Sequence, residues 1–336
     1  MIYRIIIAAV LSLGTVLITG PKLIEKLKKL HFGQTIYELG PAHQQKQGTP
    51  VMGGLMMALG ATAAAVLCHP LPWNGAWDIL FPLLGLSLLS MAVGFADDWV
   101  KAVKKRHEGL TPWQKIAGQV IVAAAFTLYC YFHPQIGSRI RIPFTQAEWD
   151  LGIFYIPIMI LAVIFAVNSS NLQDGLDGLL STVTFTGAGA WALICVLSIM
   201  TAAAGKETAG PAAVFAAAVM GACLGFLRFN RYPAKIFMGD TGSMFLGGAC
   251  TAVALVMRQP LLLILTGFCP LMSSVSVIMQ RYYYKLTHGK RIFLMSPVHH
   301  HFEKKGYSET QIVAMYATIT TILSFAAVLS IIAAAV

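Results

Sequence analysis

The sequence predicts an all-α polytopic membrane protein with about ten transmembrane helices, and three observations carry that prediction. Of 336 residues, 57% are hydrophobic and only 11% are charged, with a mean hydropathy of +0.70. Ordinary soluble domains carry about 25% charged residues, so the polar coat of a soluble protein cannot be built from this composition. A helix needs roughly 20 apolar residues to cross the hydrocarbon core, and ten apolar runs qualify. The scarce charges are also lopsided and clustered, 24 Lys and Arg against 14 Asp and Glu. Disorder and a disulfide scaffold are excluded by the same figures.

The runs fall at 2–20, 51–69, 78–96, 114–132, 151–168, 178–200, 210–227, 242–257, 259–280 and 310–335. Backbone in lipid must satisfy its hydrogen bonds within the segment, so each run is expected to be a helix; a barrel would show short alternating strands. The first run is followed, not preceded, by Lys22, Lys26, Lys28 and Lys29, and no small-residue cleavage site is present, which argues against a cleaved signal peptide. Within 22–32, Leu23, Leu27 and Leu30 share one helical face and Lys22, Lys26 and Lys29 another. That stretch is either a helix lying on an anionic leaflet or a simple positive-inside anchor. Runs of small residues at Ala61–Ala65 and Ala212–Ala218 suit close helix packing in lipid. The eighth run is short and leads almost directly into the ninth, where Pro270 predicts a kink or break. No repeat of fixed period is visible, and 1–336 reads as a single integral membrane domain. The six cysteines form no CxxC or metal spacing and read as small core residues.

Orientation follows from the basic residues. Nineteen of the 24 Lys and Arg fall in the loops at 21–50, 97–115, 169–177, 228–241 and 281–309. The positive-inside rule places these loops in the cytoplasm and both termini outside, as in a multi-pass membrane protein. Five of the seven aspartates lie on the same face: Asp97, Asp98, Asp174, Asp177 and Asp240. Ionisable groups at membrane depth are costly and default to functional hypotheses. Asp177 and Asp240, each flanked by glycine and preceding an apolar helix, are equally well explained as helix caps. Asp97 and Asp98 are not: at the end of the third run the macrodipole disfavours them, and they repel one another. Lys101 is within helical reach of both, but one lysine does not neutralise two carboxylates. A divalent cation would, and all-oxygen ligands suit Mg²⁺. Free backbone N–H groups at two glycine-flanked helix starts, with Lys46, Lys101, Lys115, Arg228, Arg231 and Lys235 on the same face, complete a constellation fit for a diphosphate.

The loop after the ninth run carries Ser296-Pro297-Val298-His299-His300-His301-Phe302-Glu303. Consecutive histidines fan out, and HExxH is absent, so a zinc-hydrolase helix is not expected. Neutral imidazoles can hydrogen-bond phosphate or transfer protons near pH 7; a solvated loop is the plainer alternative. Acids grouped at one mouth favour a membrane enzyme acting on a phosphorylated substrate. A transporter of phosphorylated solutes would instead place charge near the midplane, within paired broken helices. No nucleic-acid partner is expected.

Four motifs resemble those of the phospho-N-acetylmuramoyl-pentapeptide transferases, within the wider polyprenyl-phosphate N-acetylhexosamine-1-phosphate transferases. They are Phe95–Lys101, Asn171–Gly178, Asn230–Ser243 and Ser296–Glu303, supported by Lys46–Gly54. The triple-histidine segment is what resembles the muramoyl-pentapeptide branch. The resemblance implies ten helices, a homodimer, and Mg²⁺-dependent transfer from UDP-N-acetylmuramoyl-pentapeptide to undecaprenyl phosphate, giving lipid I and UMP. A relative transferring N-acetylglucosamine-1-phosphate is the alternative. By the same resemblance Asp240 is a Mg²⁺ ligand, Asp97 the base acting on the lipid phosphate, Asp98 its partner and His299 a further catalytic group. Asn171, Asp174, Gly175, Leu176, Asp177, Asn230, Phe237, Gln280, His299, His300 and His301 are implied in the nucleoside and sugar pocket, with Phe237 suited to stacking on uracil. Lys46, Lys101 and Lys115 are implied as phosphate contacts. Val51 and Gln173 stand where the family usually has Thr, which puts only local hydrogen bonds in question.

Overall fold

The computed structural model describes residues 1–30, 48–69, 77–104, 108–201 and 206–334. Lys46 and the end of the 22–32 stretch lie outside them. All ten apolar runs are helical: α1 Ile2–Lys29, α2 Gly54–Leu67, α3 Trp77–Lys104, α4 Pro112–Phe132, α5 Tyr155–Gln173, α6 Leu179–Met200, α7 Lys206–Asn230, α8 Gly239–Val256, a broken pair α9 Leu263–Thr266 and α10 Phe268–Leu286, and α12 Glu309–Ala333. A short helix, α11 Val298–Lys304, precedes α12. Among the described residues seven helices are long and apolar enough to cross a membrane, or eight if the broken pair is one span.

The two remaining runs fall short for different reasons. At 14 residues α2 is about 21 Å long. Helix α8 carries Asp240 in its first turn and is buried along nearly its whole length. It forms the centre of the bundle, packed along α3 on one side and α5 on the other. Small residues make the approach possible: a Cβ on Gly54 of α2 would collide with the backbone of Gly242 in α8.

The ends of the helices follow local chemistry. Thr111 and Ser308 open α4 and α12 with reciprocal capping boxes to Gln114 and Gln311, and Pro112 occupies the first helical position of α4. The basic stretch after the first run is no separate surface helix. It continues α1, with Leu27 buried and Lys22, Lys26 and Lys29 exposed.

The break in the ninth run differs from expectation. The segments Pro260–Thr266 and Phe268–Leu286 meet at 86°, and the corner is Gly267 rather than Pro270. Pro270 is the third residue of α10, in the first turn, where its missing N–H leaves no helical bond unmade. Between α4 and α5 a two-stranded hairpin, β1 Arg139–Arg141 and β2 Glu148–Asp150, sits at the end of the bundle opposite the start of α8. The six cysteines are unpaired, and five of them are buried.

Candidate active site

Three helices and a loop meet at the first turn of α8. Asp97 and Asp98 are both buried on α3, and Asp240 is the second residue of α8. Carboxylate oxygens of the three lie within 4.8 Å of one another. Lys101 Nζ bridges Asp97 Oδ2 at 2.6 Å and Asp240 Oδ2 at 3.3 Å, while Lys115, from the first turn of α4, reaches Asp240 Oδ2 at 2.7 Å. Asn171 Nδ2, near the end of α5, donates to Asp240 Oδ1 at 2.7 Å and to Ser243 Oγ at 3.0 Å. The other oxygen of Asp97 accepts the N–H of Leu110 at 2.9 Å.

The two neighbouring aspartates have different tasks. Asp98 Oδ2 accepts both the N–H of Thr241 (2.9 Å) and its hydroxyl (2.7 Å). Asp98 therefore satisfies an orphan donor at the start of α8 from another helix, as an N-cap would. Helix α3 also runs on to Lys104, two turns past the predicted end. Its C-terminal dipole consequently lies beyond the aspartates, and what disfavours the pair is mutual repulsion together with burial.

Capping is exchanged between segments. Asp240 caps nothing: the N-cap of α8 is Met238. Asp177 does not cap α6 either; its Oδ2 accepts the N–H of Ala234 at 2.9 Å, and its own N–H donates to Glu309. The start of α6, at Gly178 with φ +76°, is served instead by Asn230 Oδ1, which accepts from Gly178 N and Ser181 Oγ. The Asn230 amide also donates to Ile236 O. Asn230 and Asp177 thus hold the 231–238 loop against α6. That loop pairs with the segment before α2: Phe237 N donates to Pro50 O, and Gly53 N to Phe237 O, both at 2.9 Å.

Asp174 and Gly175 lie in the turn between α5 and α6. Burial, reinforced by the carboxylates of Asp240, Asp98 and Asp177, pushes the half-buried Asp174 well above the usual carboxylate range. Leu176 is packed with Leu179, Val183 and Ile312 and serves the core.

The histidine segment, read from the sequence as a loop, is the helix α11, and its rings do not all fan apart: His299 and His300 lie 4.3 Å apart, centre to centre, with both Nε2 atoms toward Gly175, and only His301 turns away. His299 is fully buried, with neither ring nitrogen hydrogen-bonded, and its Nε2 abuts Gly175 so closely that any side chain there would collide. Burial, followed by the neighbouring His300, pushes the His299 imidazole down to about 3. His300 Nδ1 pairs with Glu303. His301 Nδ1 accepts the N–H of Leu294, and Gln280 bonds the backbone of Ile292 and Phe293 through both ends of its amide. Those two residues brace the segment leading to α11. Sequence reasoning missed Thr241, Ser243, Glu309 and Ser276 as partners of the site. Their bonds span 22 to 143 positions, and no spacing rule reports such contacts.

A membrane-embedded helical bundle with carboxylates, lysines and an amide gathered at one mouth defines a class of enzyme that handles phosphorylated substrates. In agreement, residues 80–258 match the glycosyl transferase family 4 profile. The chain is 40% identical over 330 residues to the phospho-N-acetylmuramoyl-pentapeptide-transferase of Clostridium kluyveri, covering 98% of this chain and all of that one. The same-named protein of Heliobacterium modesticaldum is 42% identical, covering 98% and 97%, and that of Solidesulfovibrio magneticus 40%, covering 96% and 91%. The chain belongs to the phospho-N-acetylmuramoyl-pentapeptide-transferase family.

Proposed function

We propose that the mouth formed by α3, α4, α5 and α8 is the active centre at which this chain transfers phospho-N-acetylmuramoyl-pentapeptide in peptidoglycan synthesis, as its family does. The donor is the UDP-linked sugar pentapeptide, the acceptor is undecaprenyl phosphate, and the products are lipid I and UMP. The observation that carries the reading is the trio Asp97, Asp98 and Asp240 within 4.8 Å, with Lys101 bridging Asp97 and Asp240 and Lys115 on Asp240.

The donor set, carboxylate oxygens beside an amide, fits Mg²⁺, which prefers hard oxygen ligands and keeps room for phosphate. Asp240, with help from the other two carboxylates, would hold it. Bound there, the ion supplies positive charge to the diphosphate. The chain's own residues do the rest. Lys101 and Lys115 neutralise phosphate oxygens and the departing UMP, since phosphoryl transfer depends on positioning and charge. Asp97 takes the proton of the lipid phosphate: its Oδ2 is held by the half-exposed Lys101, whereas Asp98 Oδ2 is tied up by Thr241. Phe237, on the loop held by Asn230, stacks on the uracil, and Asn171, Asp174 and His300 line the sugar side, with the buried His299 behind them. The basic face is cytoplasmic, the site opens to the lipid so that the acceptor's tail stays in the bilayer, and the protein works as a homodimer.

The test is UMP release by the purified protein with Mg²⁺ and undecaprenyl phosphate, given either UDP-N-acetylmuramoyl-pentapeptide or UDP-N-acetylglucosamine. Release with the first alone is expected. Release with only the second, or solute flux into proteoliposomes without UMP, would overturn the assignment.

A further inference from the structure

Glu303 belongs to the histidine motif, yet nothing above gives it a role in the reaction. It lies one turn after His300 on α11, and both side chains are about one-fifth exposed. The carboxylate meets His300 on Nδ1. The opposite nitrogen, Nε2, lies 3.2 Å from where a Gly175 side chain would begin, so it faces the turn between α5 and α6 that carries Asp174. A carboxylate on one ring nitrogen fixes both the ring orientation and the tautomer, placing the proton on Nδ1 and leaving Nε2 as an acceptor.

The frame around the pair is rigid. Pro297 offers no side-chain cap to α11; the N–H of Val298 donates instead to Ser276 Oγ on α10, at 3.0 Å. On the other side the His300 ring rests 4.3 Å, centre to centre, from that of His299, which is itself wedged against Gly175. With helix and neighbour fixed, the remaining freedom of His300 is rotation of its ring and choice of tautomer. Glu303 removes both.

We infer that Glu303 is a positioning residue that holds His300 as the Nδ1–H tautomer, presenting Nε2 to a hydroxyl or N–H donor of the sugar nucleotide; this rests on the reading of His300 as a substrate contact. Glu303→Ala is expected to raise the KM for the UDP substrate about tenfold with kcat within about threefold, the scale of one buried hydrogen bond. Glu303→Gln keeps an acceptor for Nδ1–H and should recover most of that loss. In a His300→Ala background Glu303→Ala should add nothing. A Glu303→Ala effect that persists without His300, or that falls on kcat alone, would overturn the inference. If Glu303→Ala does not fold, ¹⁵N spectra of histidine-labelled wild-type protein at pH 8 decide. A protonated Nδ1 and bare Nε2 on His300 support it, and the reverse tautomer refutes it. If His300→Ala itself leaves KM unchanged while wild type still releases UMP, the substrate contact fails; if wild type releases none, the function fails.

Discussion

The two ends of α8 each carry a knot of charge, and they are built on opposite principles. At its start, three carboxylates gather beside two lysines, which pair with Asp97 and Asp240, in a largely buried setting. Just past its far end, Arg258 joins the β hairpin, where Arg139 faces Asp150 and Arg141 faces Glu148 across the strands. Arg258 donates to Glu148 Oε2 at 2.6 Å and to Arg139 O, and its own carbonyl accepts the N–H of Arg141. In the hairpin knot opposite charges stand opposite, the arginines outnumber the acids by one, Arg139 faces solvent while Arg141 and Arg258 are mostly covered, and the result is a clamp. In the mouth knot the surplus is negative and buried, which is unfavourable unless a cation joins it. The difference separates a charge cluster that completes itself from one left with a negative surplus that could hold a metal ion.

If that distinction is right, substitutions at the two ends will differ by orders of magnitude. Asp97→Asn should lower UMP release at least 100-fold while the protein still extracts as a folded species, because a positioned base is worth about 10² to 10⁴; retention of a tenth of the activity would deny it the role. Gly94→Ala comes next. A Cβ there would strike the carbonyl of Asp240, pushing α3 and α8 apart. We expect a loss of about tenfold or more in turnover together with a lower melting temperature, since overpacking costs about 1–3 kcal/mol; wild-type values for both would mean the helices have slack.

A smaller effect concerns acid. His299 is held at about 3 against 6.5 for a free imidazole, so its contribution is complete above pH 6.5. Below that the unfolded chain binds a proton that the folded one refuses, and stability should fall by about 1.4 kcal/mol per pH unit toward pH 3. Melting temperatures between pH 7.5 and 5 should therefore drop more steeply for wild type than for His299→Gln; parallel slopes would contradict this. The smallest effect is expected at the hairpin. Glu148→Gln should cost about 1 kcal/mol or less of stability and leave turnover unchanged.

The same contrast explains what was legible in the sequence. Every apolar run became a helix because hydropathy over about 20 residues dominates all other signals in lipid. The Asp97–Lys101 pair was legible because it is local, at i and i+4. The pairing of Lys115 with Asp240 was not, and neither was the exchange by which Asp98 serves the start of α8 and Asn230 that of α6. Capping was one of two readings of Asp177 and Asp240, and the tertiary contacts place neither as its helix's N-cap. Gly267 took the break from Pro270 because proline in a first turn has no helical bond to lose.

The central claim is that the buried negative surplus at the mouth exists to hold a cation for phosphoryl transfer. The most direct measurement is UMP release by Asp240→Asn beside wild type, titrated with Mg²⁺. Wild type should show saturable Mg²⁺ dependence, and the variant should lose at least 100-fold at every Mg²⁺ concentration while remaining folded. A variant that keeps near-wild-type turnover, or a wild type indifferent to Mg²⁺, would contradict the account.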